Sequence, residues 1–196
     1  MPTLSDPGLL LVFTGPSGCG KTTLVRRAMA RLPELRFSVS YTTRPRRGTE
    51  VDGEDYHFVA LDDFESRLAR GEFLEHALVH GNRYGTHRGS VEALVQAGSV
   101  VLLDIDVQGA QQVRASDADA VFVFLLPPSM DELEARLRGR ATDTADVIEG
   151  RLAVARSEIA EAPMFDYRIV NDDLERAEEE FLAVIHEERQ RRTTPR

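Results

Sequence analysis

Residues 15–22 read Gly15-Pro16-Ser17-Gly18-Cys19-Gly20-Lys21-Thr22, the spacing G-x-x-x-x-G-K-[ST]. The apolar run Leu9-Leu10-Leu11-Val12-Phe13 precedes it, and a stretch that reads as helix from Thr23 to Arg31 follows. Strand, tight loop and helix are the setting in which this spacing holds phosphate. The glycines let backbone N–H groups converge on phosphate oxygens, and the helix N-terminus adds partial positive charge. Lys21 can reach the β- and γ-phosphates, the Thr22 hydroxyl can sit on Mg²⁺, and Thr23 continues the same turn. The chemistry implied is binding of a nucleoside triphosphate. Cys19, the only cysteine, falls at the helix start, where thiol pKa values tend to drop. We expect a reactive thiol that bound triphosphate protects.

A second acid–base pattern lies further along. Val100-Val101-Leu102-Leu103-Asp104 ends an apolar run in a carboxylate, a placement that suits a magnesium partner opposite Thr22. Taken alone, Asp104 also reads as an ordinary polar strand end. Arg44-Pro45-Arg46-Arg47 concentrates guanidinium groups, whose forks match phosphate and keep their charge at neutral pH. A solvated basic loop is the other reading. Arg136, Arg138, Arg140 and Arg151 surround Gly139 to Thr144, a small-residue loop between helical stretches that suggests a lid.

These groups need elements to position them. Short apolar strands at Leu9–Phe13, Val100–Leu103, Ala120–Leu126 and Tyr167–Val170 alternate with helices at Thr23–Arg31, Val91–Ala97, Met130–Arg138 and Leu174–Arg191. That alternation predicts an α/β fold around a parallel sheet. Ser129 and Glu132 make a capping box at the third helix. Between Phe37 and Arg88 the pattern changes to strand-like pieces at Phe37–Tyr41, Tyr56–Val59 and Phe73–Val79 with one helix at Asp62–Arg70, an inserted lobe of mixed sheet. The residues from Arg191 to the end read as a frayed tail.

The chain has 196 residues, enough for one domain with a sizeable core, and a formal net charge of −9. That acidity argues against a general nucleic-acid or acidic-membrane binder. No run approaches the ~20 apolar residues that span a bilayer, no signal-peptide pattern opens the chain, and a lone cysteine fits a reducing compartment. We expect a cytoplasmic protein. His57, His76, His80 and His87 read as packing or surface residues; the spacing of His76 and His80 in a strand does not make a helical metal pair.

The words Ser38-Val39-Ser40-Tyr41-Thr42-Thr43-Arg44, Gly53-Glu54-Asp55-Tyr56, Phe73-Leu74-Glu75, Gly81-Asn82-Arg83-Tyr84-Gly85-Thr86, Leu103-Asp104-Ile105-Asp106-Val107-Gln108-Gly109 and Ile169-Val170-Asn171-Asp172-Asp173-Leu174 occur in this order. With the phosphate loop, this set resembles the guanylate kinase family over about residues 9–189. The resemblance implies a P-loop kinase fold with a core at 9–36, 89–126 and 158–196, a GMP-binding lobe at 37–88 and a lid region at 127–157. It implies ATP and GMP as small-molecule substrates, Mg²⁺ as cofactor, and neither nucleic acid nor membrane as partner.

Carried over by position, Arg44, Arg47, Tyr56 and Tyr84 would hold the GMP phosphate with Glu50 beside them, and Ser40, Glu75, Thr86 and Asp106 would read guanine, Asp104 lying in the same site. Residues 15–23 with Arg136 and Asn171 would take ATP, Asn171 beside the adenine. Lys21, Arg44, Arg140 and Arg151 would neutralise charge on the transferred group. Three departures stand out: Arg47-Gly48-Thr49-Glu50 moves a glycine by one place, Ala141 replaces a lid glycine, and Arg83 replaces a frequent aromatic. Two other readings compete: a scaffold module that has lost the chemistry, against which Lys21, Thr22, Arg140 and Arg151 all stand, and a kinase with another acceptor, against which Glu75, Thr86 and Asp106 stand together.

Overall fold

The structure, a computed structural model, describes residues 7–79, 81–139 and 144–193. Strand β1 (Leu9–Thr14) is buried along its whole length, and its side chains alternate between two apolar clusters. Leu9, Leu11 and Phe13 face one cluster; Leu10 and Val12 face the other. Period-two alternation with both faces apolar is what a strand sandwiched between helix layers requires. Helix α1 (Lys21–Arg31) follows the phosphate loop and buries Leu24, Val25 and Ala28 in the first cluster.

The chain then forms β2 (Leu35–Phe37), enters the inserted lobe, and returns. The lobe consists of β3 (Tyr41–Thr42), β4 (His57–Phe58), α2 (Leu61–Ala69), β5 (Phe73–Val79) and β6 (Asn82–His87). Its sheet runs β4-β3-β6-β5, with β3 and β4 parallel and the other pairs antiparallel. The expected strand Phe37–Tyr41 is two strands instead. Leu35–Phe37 joins the core sheet, Tyr41–Thr42 joins the lobe sheet, and residues 38–40 cross between them. Phe37 therefore belongs to the core.

From the lobe the chain continues through α3 (Arg88–Gln96), β7 (Val100–Asp104), α4 (Val107–Ala115), β8 (Ala120–Leu126), α5 (Met130–Arg138), α6 (Ala145–Ala160), β9 (Tyr167–Val170) and α7 (Leu174–Thr193). The core sheet is parallel throughout, in the order β2-β7-β1-β8-β9. Helices α1 and α7 cover one face, where Phe13 packs on Phe181 at 5.0 Å between ring centroids. Helices α3 and α4 cover the other through Val91, Val107, Ala110 and Val113. Ligands of open parallel sheets bind beyond the carboxyl ends of the strands. Here those ends carry the phosphate loop after β1, Asp104 at the end of β7 and Asn171 after β9.

Helix α5 starts as its capping box predicts, with Ser129 Oγ accepting from the Glu132 amide at 3.1 Å. It packs on α6 through Leu133, Leu137, Ile148, Leu152 and Ala155, a small apolar cluster apart from the main core. The C-terminal helix does not end at Arg191. Arg192 bridges Glu188 at 2.8 Å and Asp119 at 2.9 Å, and the helix continues to Thr193. Among the described residues, no helix is long and apolar enough to cross a membrane.

Candidate active site

The loop after β1 is held from several sides. Thr14 Oγ1 donates to the Ile105 carbonyl at 3.0 Å, and the Ile105 amide donates to the Phe13 carbonyl at 3.3 Å, tying the ends of β1 and β7 together. Gly18 and Gly20 sit at φ 92° and 102°, the left-handed region where glycine is free and other residues are strained. A Cβ on Gly20 would fall 2.3 Å from Asn171 Nδ2. That amide nitrogen donates to the Cys19 carbonyl at 2.7 Å, and the side chain is buried. Asn171, expected beside adenine, thus braces the loop from behind. Cys19 is also buried, and burial pushes its thiol pKa up, with Lys21's charge opposing. The expected lowering at a helix N-terminus is overturned because desolvation of the thiolate outweighs it.

Lys21 Nζ donates to the Gly15 carbonyl at 2.5 Å, folded across the loop. A cavity of ≈ 440 Å³ opens over it, lined by the loop, Thr22, Thr23, Asp104, Asp106 and Glu158. Asp104 is solvent-facing yet crowded by protein: desolvation raises its carboxyl pKa, and Lys21 counters. A second cavity of ≈ 370 Å³ is lined by Ser38, Ser40, Tyr56, Thr86 and Leu102 to Ile105. Asp104 and Ile105 line both cavities, so the two open on either side of one strand end.

In the lobe a charged and aromatic cluster is assembled around Arg44, which is 7% exposed. Its Nη1 and Nη2 donate to the two carboxylate oxygens of Glu50 at 3.0 and 2.7 Å, and Nη1 also donates to the Pro45 carbonyl at 2.8 Å. The guanidinium lies 5.3 Å from the Tyr56 ring centroid and 5.7 Å from that of Phe58. Tyr56 and Tyr84 meet edge-on at 5.9 Å. Hydrogen bonding to Glu50, then to Tyr84, holds the Arg44 pKa above its ordinary value. Glu50 is held low by Arg44 and by the Arg47 amide, which donates to it at 2.8 Å. Glu50, grouped at the sequence level with the ligand contacts, has both oxygens engaged within the loop. Gly48 takes the left-handed conformation of this turn at φ 51°, so the displaced glycine falls where it is needed. Arg83 turns to α2, pairing with Glu65 at 2.8 Å.

Glu75 is 6% exposed and accepts from Thr86 Oγ1 at 2.6 Å. Desolvation raises its pKa, Thr86 opposes, and the charge of Asp106 adds to the rise. Asp106 caps α4, its Oδ1 accepting from the Gly109 amide at 2.8 Å. Ser40 is half-buried at the cavity wall. Glu75 and Thr86 come from the lobe sheet and Asp106 from the start of α4, near enough for its charge to act on Glu75; Thr86 lines the second cavity and Asp106 the loop cavity.

On the lid side, Arg136 Nη2 donates to the Asn171 carbonyl at 3.3 Å, and Arg138 pairs with Glu134 at 2.5 Å. Arg151 is half-buried on α6; Arg140, Ala141 and His80 lie outside the described residues. Sequence reasoning missed Glu158, which reaches the loop cavity from α6. Burial raises its carboxyl pKa, Lys21 opposes and Asp106 adds. The available signal was its place seven residues after Arg151, on the same helix face. His57 stacks on Tyr41 at 4.6 Å, and His87 Nδ1 caps α3 by accepting from the Ser90 amide at 3.1 Å.

The family model described as guanylate kinase matches residues 8–188. The chain is 53% identical over 178 residues to the guanylate kinase of Syntrophotalea carbinolica, covering 91% of this chain and 85% of that protein. It is 52% identical over 185 residues to the guanylate kinase of Aromatoleum aromaticum, with 94% and 91% covered. The crystal structure of guanylate kinase from Anaplasma phagocytophilum superposes with a TM-score of 0.71 at 35% identity, over 95% of this chain and 89% of that one.

Proposed function

This chain belongs to the guanylate kinase family, and we propose from that premise how its residues divide the work. The enzyme is a nucleoside-monophosphate kinase of purine metabolism: it transfers the γ-phosphate of ATP to GMP, giving ADP and GDP. The observation that carries the division of labour is the pair of cavities meeting at Asp104 and Ile105. The phosphate loop, with Thr22, Thr23 and Arg136, takes ATP on one side, and the lobe takes GMP on the other.

On the donor side, backbone amides and the start of α1 hold the phosphates, and Lys21 exchanges the Gly15 carbonyl for phosphate oxygens. Asn171 serves ATP indirectly, by fixing the Cys19 carbonyl and keeping the loop amides aimed inward. Thr22 and Asp104 offer hydroxyl and carboxylate oxygens to the same cavity, a hard donor set that fits Mg²⁺. Bound there, the ion would supply charge neutralisation between donor phosphates.

On the acceptor side, Arg44, Arg47, Tyr56 and Tyr84 hold the GMP phosphate, Glu50 orienting Arg44. Glu75 and Asp106 accept from guanine N1–H and N2–H₂, and Thr86 and Ser40 complete the polar edge. Adenine lacks the N1–H and would leave a buried carboxylate unpaired, a mismatch worth up to ~10⁴-fold in sites built on such bonds. Because the acceptor is already an ionised phosphate oxygen, no side chain need act as general base. Lys21, Arg44, Arg151 and, by its place in the lid motif, Arg140 meet the charge of the transferred group, while closure excludes water. The units follow this division: core at 9–36, 89–126 and 158–196, GMP lobe at 37–88, lid at 127–157, with Phe37 and the end of α6 (Ala145–Ala160) shared across the borders. The single cysteine supports a reducing compartment, the cytoplasm.

A coupled assay with GMP, dGMP, AMP, CMP and UMP tests the acceptor reading. We expect turnover with GMP and with dGMP, since every assigned contact reads base or phosphate. Comparable rates with AMP would overturn the assignment of Glu75 and Asp106.

A further inference from the structure

Strand β5 is an edge strand, pairing with β6 on one side only. His76 stands opposite Gly85, between the pairs Glu75–Thr86 and Ala77–Tyr84, and its amide and carbonyl turn to the open edge, where they meet Gln112. Such groups ordinarily go to water or to another strand. Here one side chain takes both. Gln112 Oε1 accepts from the His76 amide at 3.0 Å, and Gln112 Nε2 donates to the His76 carbonyl at 2.9 Å. A carboxamide presents one acceptor and one donor side by side, as a backbone peptide does, so Gln112 acts as a one-residue strand.

Gln112 lies on α4, and the same helix begins at Asp106. The face that carries Gln112 also carries Gly109, one turn earlier. A Cβ on Gly109 would fall 3.2 Å from Glu75 Oε2, so the missing side chain leaves room for that carboxylate. One rigid helix therefore holds Asp106 at its start, makes space for Glu75 beside Gly109, and grips the backbone next to Glu75. The distance along the helix from Asp106 to Gln112 is about 9 Å at 1.5 Å per residue.

We propose that Gln112 is a positioning residue for acceptor recognition: its two-bond grip on His76 fixes Glu75 of the lobe against Asp106 of the core, and so sets the spacing that distinguishes guanine. The inference rests on the base-reading role of Glu75 and Asp106 proposed above. The grip ties the lobe to the core beside Glu75, next to the contact that Leu74 makes with the core cluster.

The test compares kcat/KM for GMP with that for inosine 5′-monophosphate, which lacks only the 2-amino group. Gln112→Met keeps the length and helix propensity and removes both bonds; Gln112→Glu keeps the acceptor and loses the donor. We expect the GMP preference to fall about tenfold in Gln112→Met, the scale of a mispositioned hydrogen-bond pair, and to fall in Gln112→Glu too, with KM for ATP unchanged. A merely structural role would lower the folded fraction and both rates together, leaving the ratio alone. A ratio held within about twofold of the parent in both variants overturns the proposal. Glu75→Gln and Asp106→Asn are the controls. If either abolishes the preference while the Gln112 variants keep it, the grip alone is refuted; if both keep the preference, the base-reading assignment falls and this proposal with it.

Discussion

The phosphate loop and the GMP lobe solve opposite problems with different materials. Beneath the loop, β1 is buried on both faces, Asn171 and Thr14 brace the turn, and Arg27 and Arg31 tie α1 to the buried Glu178 of α7 at 2.5 and 3.2 Å. Among the described residues, the lobe contributes only Leu74 to the apolar clusters. Phe64 stacks on Phe73 at 4.5 Å, and around buried Arg44 with its partner Glu50 much of the rest is partly exposed ion pairs: Arg67 with Asp63, Arg70 with Glu72, Arg83 with Glu65. Close-packed apolar interiors resist deformation, whereas exposed ion pairs contribute little individually and re-form easily. Under the proposed division, the donor phosphates meet a fixed cradle, and the acceptor meets one that can adjust.

The sharpest test of this contrast is Lys21→Ala. It should lower turnover ~10³-fold or more, with GMP binding by calorimetry near the parent value, because the lysine belongs to the fixed cradle alone. Loss of GMP affinity in step with turnover would merge the two halves. Arg44→Lys should act on the other half: replacing a planar fork by a point charge should raise KM for GMP ~10- to 100-fold and leave KM for ATP in place. An equal rise in both constants would break the division.

The smallest effect concerns protons. Glu75 has a raised pKa through desolvation, opposed by Thr86 and reinforced by Asp106. The folded protein then binds the Glu75 proton at pH values where the unfolded chain has released it. This contribution destabilises the unliganded fold as pH rises from the ordinary carboxylate value through the raised one. Guanine donors favour the ionised form, so GMP binding in that window should release a proton, and GMP affinity should fall as pH drops through it. Calorimetry in two buffers of different ionisation enthalpy measures the release; Glu75→Gln should abolish it. A release unchanged in that variant would assign the proton elsewhere.

The loop and its flanking strand were legible because glycine spacing and an unbroken apolar run are local signals. Strand β5 and helix α5 were legible for the same reason. The alternation from Phe37 to Tyr41 reads as one strand, but pairing partners rather than local pattern decide which sheet each end joins. Helix α4 escaped because Val107-Gln108-Gly109-Ala110-Gln111-Gln112 carries a glycine and three glutamines, while its start is set by the cap at Asp106. Cys19 shows a local rule losing to environment: the helix start favours thiolate, and burial among packed neighbours reverses the sign. Asn171 was placed by a pairing far along the chain, with Cys19, and Glu158 by the approach of α6 to the cavity that Lys21 also lines.

The bidentate contact between Arg44 and Glu50 gives the acceptor cradle an internal rival to every arriving anion. A free phosphate or sulfate ion must compete with a tethered carboxylate and gains no base contact beyond the groups that hold the phosphate. A nucleotide monophosphate brings its base as a second handhold and can win that competition. If Arg44 holds the acceptor phosphate as proposed, discrimination against ambient anions begins at this pair, one step before the purine is inspected.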